Sequence, residues 1–182
     1  MVTVVDVDAG PGTVARRVEV SATAAQVFAL LANPRRLREL DGAGAMRDIP
    51  VLGPERLEIG DSFTVSLQQS GMPYQATSTV TSLEIDKSIE WEDSYFRKWR
   101  WELRETVHGT TEVTETLDCG NAVIPLFDAM FGGDTARNAS AITLSLHKLA
   151  ERFDECDGQS ATDLRSQVCC ARWVSPNLRA AS

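Results

Sequence analysis

The chain has 182 residues, 43% of them apolar, and a net charge of -8 from 18 basic and 26 acidic side chains. That length suits one domain with a sizeable core, and the acidic balance argues against a nucleic-acid binder, which needs basic patches to neutralise phosphates. No apolar run approaches bilayer length, and the opening Met1 to Asp8 lacks the basic start and apolar stretch of a secretory signal, so a cytoplasmic protein without integral membrane association is expected.

Residues 1–12 end in the breaker cluster Gly10-Pro11-Gly12 and are expected to form a flexible leader. Val14, Arg16, Val18 and Val20 then alternate with Ala15, Arg17 and Glu19, which predicts a first strand. Ser21 is the expected N-cap of a helix whose apolar face is Ala24, Val27, Phe28 and Leu31. Asn33-Pro34 predicts a second, short helix to about Leu40, since asparagine caps and proline suits the first helical position.

A long β region follows. It comprises a weak strand from Met46 to Val51, an alternating one at Phe63, Val65 and Leu67, and a Thr- and Ser-rich one from Tyr74 to Leu83. Three more are expected around Ile89 and Trp91, from Trp99 to Glu105, and from Thr111 to Leu117. Residues 121–132 are apolar with a proline inside and predict an irregular helix or lid carrying Phe127, Met130 and Phe131. Gly133 to Phe153 carries the longest helical pattern, with Ile142, Leu146, Leu149 and Phe153 in one stripe. Residues 156–182 show no sustained period and are expected to be a mostly disordered tail, with Trp173 its one large apolar residue. The four cysteines, Cys119, Cys156, Cys169 and Cys170, include no Cys-x-x-Cys pair and are expected to be reduced thiols.

This order predicts an α+β fold in which consecutive antiparallel strands make a curved sheet and one long helix buries its stripe against it. Trp99, Trp101 and Leu103 share one strand face, opposite Arg100, Glu102 and Arg104. A loop centred near Tyr95 would set Trp91 opposite Trp99. The inner face is thus expected to gather Phe63, Val65, Trp91, Trp99, Trp101 and Leu103 opposite Ile142 and Leu146.

The stretch Arg17 to Pro34 (RVEVSATAAQVFALLANP) resembles the opening of the START-like, or SRPBCC, superfamily. Ile89-Glu90-Trp91, Trp99-Arg100-Trp101-Glu102-Leu103 and Gly109-Thr110-Thr111-Glu112-Val113-Thr114 resemble the later strands of its polyketide cyclase/dehydrase-like branch. The likeness spans residues 13–155. It implies a helix-grip fold: a seven-stranded antiparallel sheet wrapped around a C-terminal helix, two short helices between the first two strands, and an apolar cavity under the helix. Members bind lipids, sterols, polyketides or other hydrophobic molecules, and a minority are enzymes.

Strand parity points Glu115 inward beside Val113 and Leu117, provided a three-residue loop or a bulge precedes its strand. Arg16 has inward parity too. In the family the first and last strands are neighbours, so Arg16 and Glu115 are expected to meet, as an ion pair or as a polar anchor for a ligand carbonyl or hydroxyl. Tyr74 offers a phenol at the cavity wall, and Asn138 or Ser145 a hydrogen bond from the helix. Glu115, Arg16 and Tyr74 are the candidates for any acid–base chemistry.

No metal-ligand spacing or Ser/His/Asp arrangement accompanies the two histidines, so no metal or other cofactor is expected. Arg35, Arg36 and Arg38 make a short basic cluster, expected to be a solvated helix face. The leading expectation is a carrier or sensor of a hydrophobic small molecule. The alternatives are a polyketide cyclase or dehydratase, and a protein-interaction module.

Overall fold

A computed structural model describes residues 2–69, 71–119 and 135–159 of the chain. Alternating apolar residues fold into seven strands: β1 (Val5–Val7), β2 (Thr13–Val20), β3 (Ser62–Gln69), β4 (Met72–Glu84), β5 (Ser88–Asp93), β6 (Lys98–Glu105) and β7 (Thr111–Asp118). All neighbours pair antiparallel, in the order β1-β2-β7-β6-β5-β4-β3. Between β2 and β3 lie helix α1 (Ala24–Leu31) and a 3-10 helix, Pro34–Leu40. The last described element is the long helix α2, Thr135–Gln159. This is the expected helix-grip architecture.

The seven strands are not quite the expected seven. Val5–Val7, inside the segment read as a flexible leader, pairs with β2 at its edge. Met46 to Val51 is instead a loop, bridged to β3 near its ends at Met46 to Leu67 and, one residue on, Leu52 to Thr64. Its single apolar residues lack the sustained alternation that commits a segment to one face. The N-cap of α1 is Thr23 rather than Ser21. Thr23 Oγ1 accepts from Gln26 N–H at 3.3 Å while Gln26 Oε1 accepts from Thr23 N–H at 2.9 Å, a reciprocal capping box. Ser21 instead donates to Asp154 Oδ1 at 3.1 Å, tying the end of β2 to α2. The 3-10 helix starts as expected, with Asn33 Oδ1 accepting from Arg35 N–H and Pro34 in the first turn. The lid segment with Phe127, Met130 and Phe131, and the tail from residue 160 on, lie outside the described residues.

Two turns set the facing of the inner residues. Between β6 and β7, Thr106 N–H bonds Thr110 O at 2.9 Å around the three-residue loop Val107-His108-Gly109. Gly109 sits at φ 77°, a left-handed conformation that glycine adopts without a Cβ penalty. The odd-numbered residues from Thr111 to Leu117 are consequently the buried ones. Between β5 and β6, the Asp93 carboxylate accepts from the backbone N–H groups of Tyr95 and Arg97. That turn aligns Trp91 with Trp99 and Ile89 with Trp101. A register shift between Val80 and Ser82 in β4 keeps Val80 opposite Trp91 and Leu83 opposite Ile89.

Helix α2 lies mainly over β2, with contacts to β7 and the 3-10 helix, and α1 lies over β6. Ile142, Leu146, Leu149 and Ala150 are its buried stripe, joined to Val18, Val20, Val113 and Leu117 in one core. Within that core Trp101 and Leu103 are joined to Ile142, Leu146 and Leu149, while the backbone of α2 comes nearest to β2.

Candidate functional site

Residues directly opposed on antiparallel strands share a face, so the register lays out the inner face in rows. One row is aromatic and apolar: Val80, Trp91, Trp99, Leu117 and Val14. Phe63 meets Trp91 edge to face, with ring centroids 5.5 Å apart and planes at 80°. Phe63, Val65, Trp91, Trp101 and Leu103 are all buried, Trp99 is half-buried, and Ile142 and Leu146 are buried on α2. These expected lining residues lie on the inner side of the sheet or on the helix stripe facing it.

The next row carries the polar groups: Ile89, Trp101, Glu115, Arg16 and Asp6. Glu115 is 4% exposed and Trp101 is 3% exposed. Among the described residues, the buried side-chain nitrogens and oxygens without a hydrogen-bond partner are two, Trp101 Nε1 and Glu115 Oε2. They belong to cross-strand neighbours. The Glu115 carboxyl is hydrogen-bonded by Ser145 of α2. Burial pushes the Glu115 carboxyl up to about 8, against a smaller opposing effect of the Ser145 hydrogen bond. The side chain is therefore a neutral acid at neutral pH, and a carboxyl titrating there can give or take a proton.

Arg16 and Glu115 are directly opposed, as expected, but they form no ion pair. The Arg16 guanidinium turns the other way, to Asp6 Oδ1 at 2.7 Å and to the Ala15 carbonyl at 2.9 Å. Asp6 is largely exposed, so this pairing keeps the charges near water and avoids the desolvation that a buried Arg16–Glu115 pair would cost. The leader segment supplied this competitor, and periodicity gave no sign of it.

A second polar cluster lies at the turn between β5 and β6. Asp93, buried, pairs with Arg97 at 2.8 Å. The Arg97 guanidinium sits 5.6 Å over the Tyr95 ring. Tyr74 packs edge-on against Tyr95 at 6.1 Å, and the Tyr95 hydroxyl donates to the Gln75 carbonyl. Burial pushes the Tyr74 phenol up, while Arg97, hydrogen-bonded to it, opposes the shift. Tyr74 is half-buried on the face of β4 that carries the buried Ala76, Ser78 and Val80, and Arg97 holds its phenol. The Asp93–Arg97 pair escaped the sequence reading; an Asp followed four residues later by Arg across a tight turn was its signal. Asn138 is half-buried on α2, and the helix hydrogen bond to Glu115 comes from Ser145 instead. Phe127 and Phe131 lie outside the described residues.

The short basic cluster is paired on the surface. Arg35 bonds Glu55, Arg36 bonds Glu39, and Arg38 bonds Asp48, so the basic cluster is a neutralised helix face. A groove of about 430 Å³ on the outer sheet face is lined by Arg17, Lys98, Arg100, Glu90, Glu102 and neighbours, charges of both signs that pair with one another or with adjacent residues. Among the described residues no cluster of His, Cys, Asp and Glu is arranged to hold a metal ion, and no helix is long and apolar enough to cross a membrane.

Residues 11–154 match the family model described as polyketide cyclase / dehydrase and lipid transport. The uncharacterized protein Rv0088 of Mycobacterium tuberculosis is 41% identical over 157 residues, which cover 84% of this chain and 69% of that protein. The crystal structure of Ms6760 from Mycobacterium smegmatis shares the fold with a TM-score of 0.62 at 15% identity, covering 86% of this chain and 99% of that one. DynU16, a protein of the dynemicin biosynthetic locus, superposes with a TM-score of 0.56 at 15% identity, over 80% of this chain and 48% of its own.

Proposed function

The chain belongs to the polyketide cyclase / dehydrase and lipid transport family, and from that premise we propose that it binds a hydrophobic small molecule between the inner sheet face and α2, as a cytoplasmic carrier or sensor. The observation that carries this reading is the buried pair of unpartnered polar atoms, Trp101 Nε1 and Glu115 Oε2, beside a wall of aromatic side chains. Leaving a buried polar group without a partner costs about 1–3 kcal/mol, and a ligand that brings one polar atom on an apolar frame removes that cost. Sites for such ligands are mostly apolar, with a few placed polar groups that fix orientation. Affinity then comes from apolar burial, at roughly 25 cal/mol per Å² before ordering costs. The three indoles Trp91, Trp99 and Trp101 supply flat apolar contact at little entropic cost.

The test is titration with an environment-sensitive apolar fluorophore. Trp99→Ala and Trp101→Ala are each expected to weaken probe binding about tenfold or more while the domain stays folded by circular dichroism. Unchanged probe affinity in both folded variants would sink the interior-site reading.

A further inference from the structure

We propose that Trp101 Nε1–H and the Glu115 carboxyl form a two-donor clamp for a carbonyl oxygen, so that the ligand class is a neutral, largely apolar ketone. This rests on the interior binding site proposed above and narrows what occupies it. The two residues are directly opposed on β6 and β7, both are buried, and each presents an atom with no partner in the protein. An indole nitrogen only donates. Ser145 donates to this carboxyl from α2, and with the acidic proton on the unpartnered oxygen the acid is a second donor. Burial holds that proton in place at neutral pH. Two donors on directly opposed residues match an acceptor with two lone pairs.

A carboxylate ligand fits this pair poorly, since Arg16, the cation on the adjacent strand, is engaged by Asp6. An alcohol would leave its own proton facing donors. A ketone satisfies both protein atoms and adds no charge or proton to bury.

The experiment compares acetylnaphthalene with ethylnaphthalene, matched in size and differing in the carbonyl, by calorimetric titration at about pH 6, below the titration of Glu115. The wild type is expected to prefer the ketone about tenfold. Trp101→Phe, which keeps a ring and loses the N–H, and Glu115→Leu should lose that preference while still binding ethylnaphthalene. Glu115→Gln, which retains an N–H donor, should keep most of it.

A wild type that binds both probes equally, or a Trp101→Phe variant with undiminished ketone preference, overturns the clamp; bridging water then satisfies the two atoms. A wild type that binds neither probe overturns the interior site and the clamp together. Should Glu115→Leu fail to fold, the carbonyl-carbon resonance of labelled acetylnaphthalene decides. It is expected to move downfield on binding to the wild type and less on binding to Trp101→Phe, and equal shifts would overturn the clamp.

Discussion

Glu115 shows how one side chain links fold and chemistry. Its folded carboxyl is raised from 4.5 to about 8 by burial, so between those values the native state holds a proton that the unfolded chain has released. Stability therefore falls as pH rises from about 4.5 to about 8, by on the order of 4 kcal/mol when the ionised form must be buried. Below that window both states are protonated and the residue contributes no pH dependence. Glu115→Gln should flatten this part of the stability–pH curve, measured by urea denaturation at several pH values. A wild-type curve already flat across the window would show that the carboxyl is ionised at little cost. The inward facing of Glu115 was legible from its spacing to Val113 and Leu117. Its freedom from Arg16 was not, because the partner that diverts Arg16 is set by strand pairing at the sheet edge.

At the scale of elements, α2 is held at its flank by the 3-10 helix and the loop after it. Lys148 Nζ donates to the Asp41 carbonyl at 3.0 Å, and Arg152 pairs with Glu39 at 3.0 Å, where Glu39 also meets Arg36. The arginines hold the Glu39 carboxyl below its usual range, its bond to Arg36 being the largest effect. Gly42 lies against the backbone of α2: a Cβ there would stand 2.5 Å from the Leu144 carbonyl carbon. Gly42→Ala is therefore expected to push α2 away from its seat and to cost about 1–3 kcal/mol, read as a lower Tm. An unchanged Tm would mean that the helix shifts without penalty. The amphipathic stripe of α2 announced a helix that buries one face, and Asn33-Pro34 announced the short helix that runs to about Leu40. That the two meet at this glycine depends on the third dimension, since Gly42 and Leu144 are 102 positions apart in the chain.

For the whole molecule, the decisive feature is the pairing of β2 with β7, far apart in the chain. It sets Asp6, Arg16, Glu115 and Trp101 in one row across four strands. The row makes a long-range prediction. Asp6→Ala removes the exposed partner of Arg16, and the guanidinium is then available to the carboxyl opposite it. The pH midpoint assigned to Glu115 is expected to move down, because a nearby cation favours the charged form. A midpoint unmoved in Asp6→Ala would show that Arg16 keeps its outward course without Asp6.

The amino-acid sequence by itself determined the class of fold and the sidedness of its strands. Period-two alternation, the 3.6-residue stripe of α2 and the glycine-containing loop before β7 are local properties, set by which side chains prefer water and which backbones tolerate positive φ. Residues such as Trp91, Trp99, Trp101 and Glu115 were assigned to the inner face on those grounds alone. The tertiary structure decided who meets whom: Arg16 with Asp6, Glu115 with Ser145, Asp93 with Arg97, and α2 with β2, β7 and the 3-10 helix. Those outcomes are competitions between partners distant in sequence, resolved by distance and by the cost of burying charge, and no local period encodes the winner.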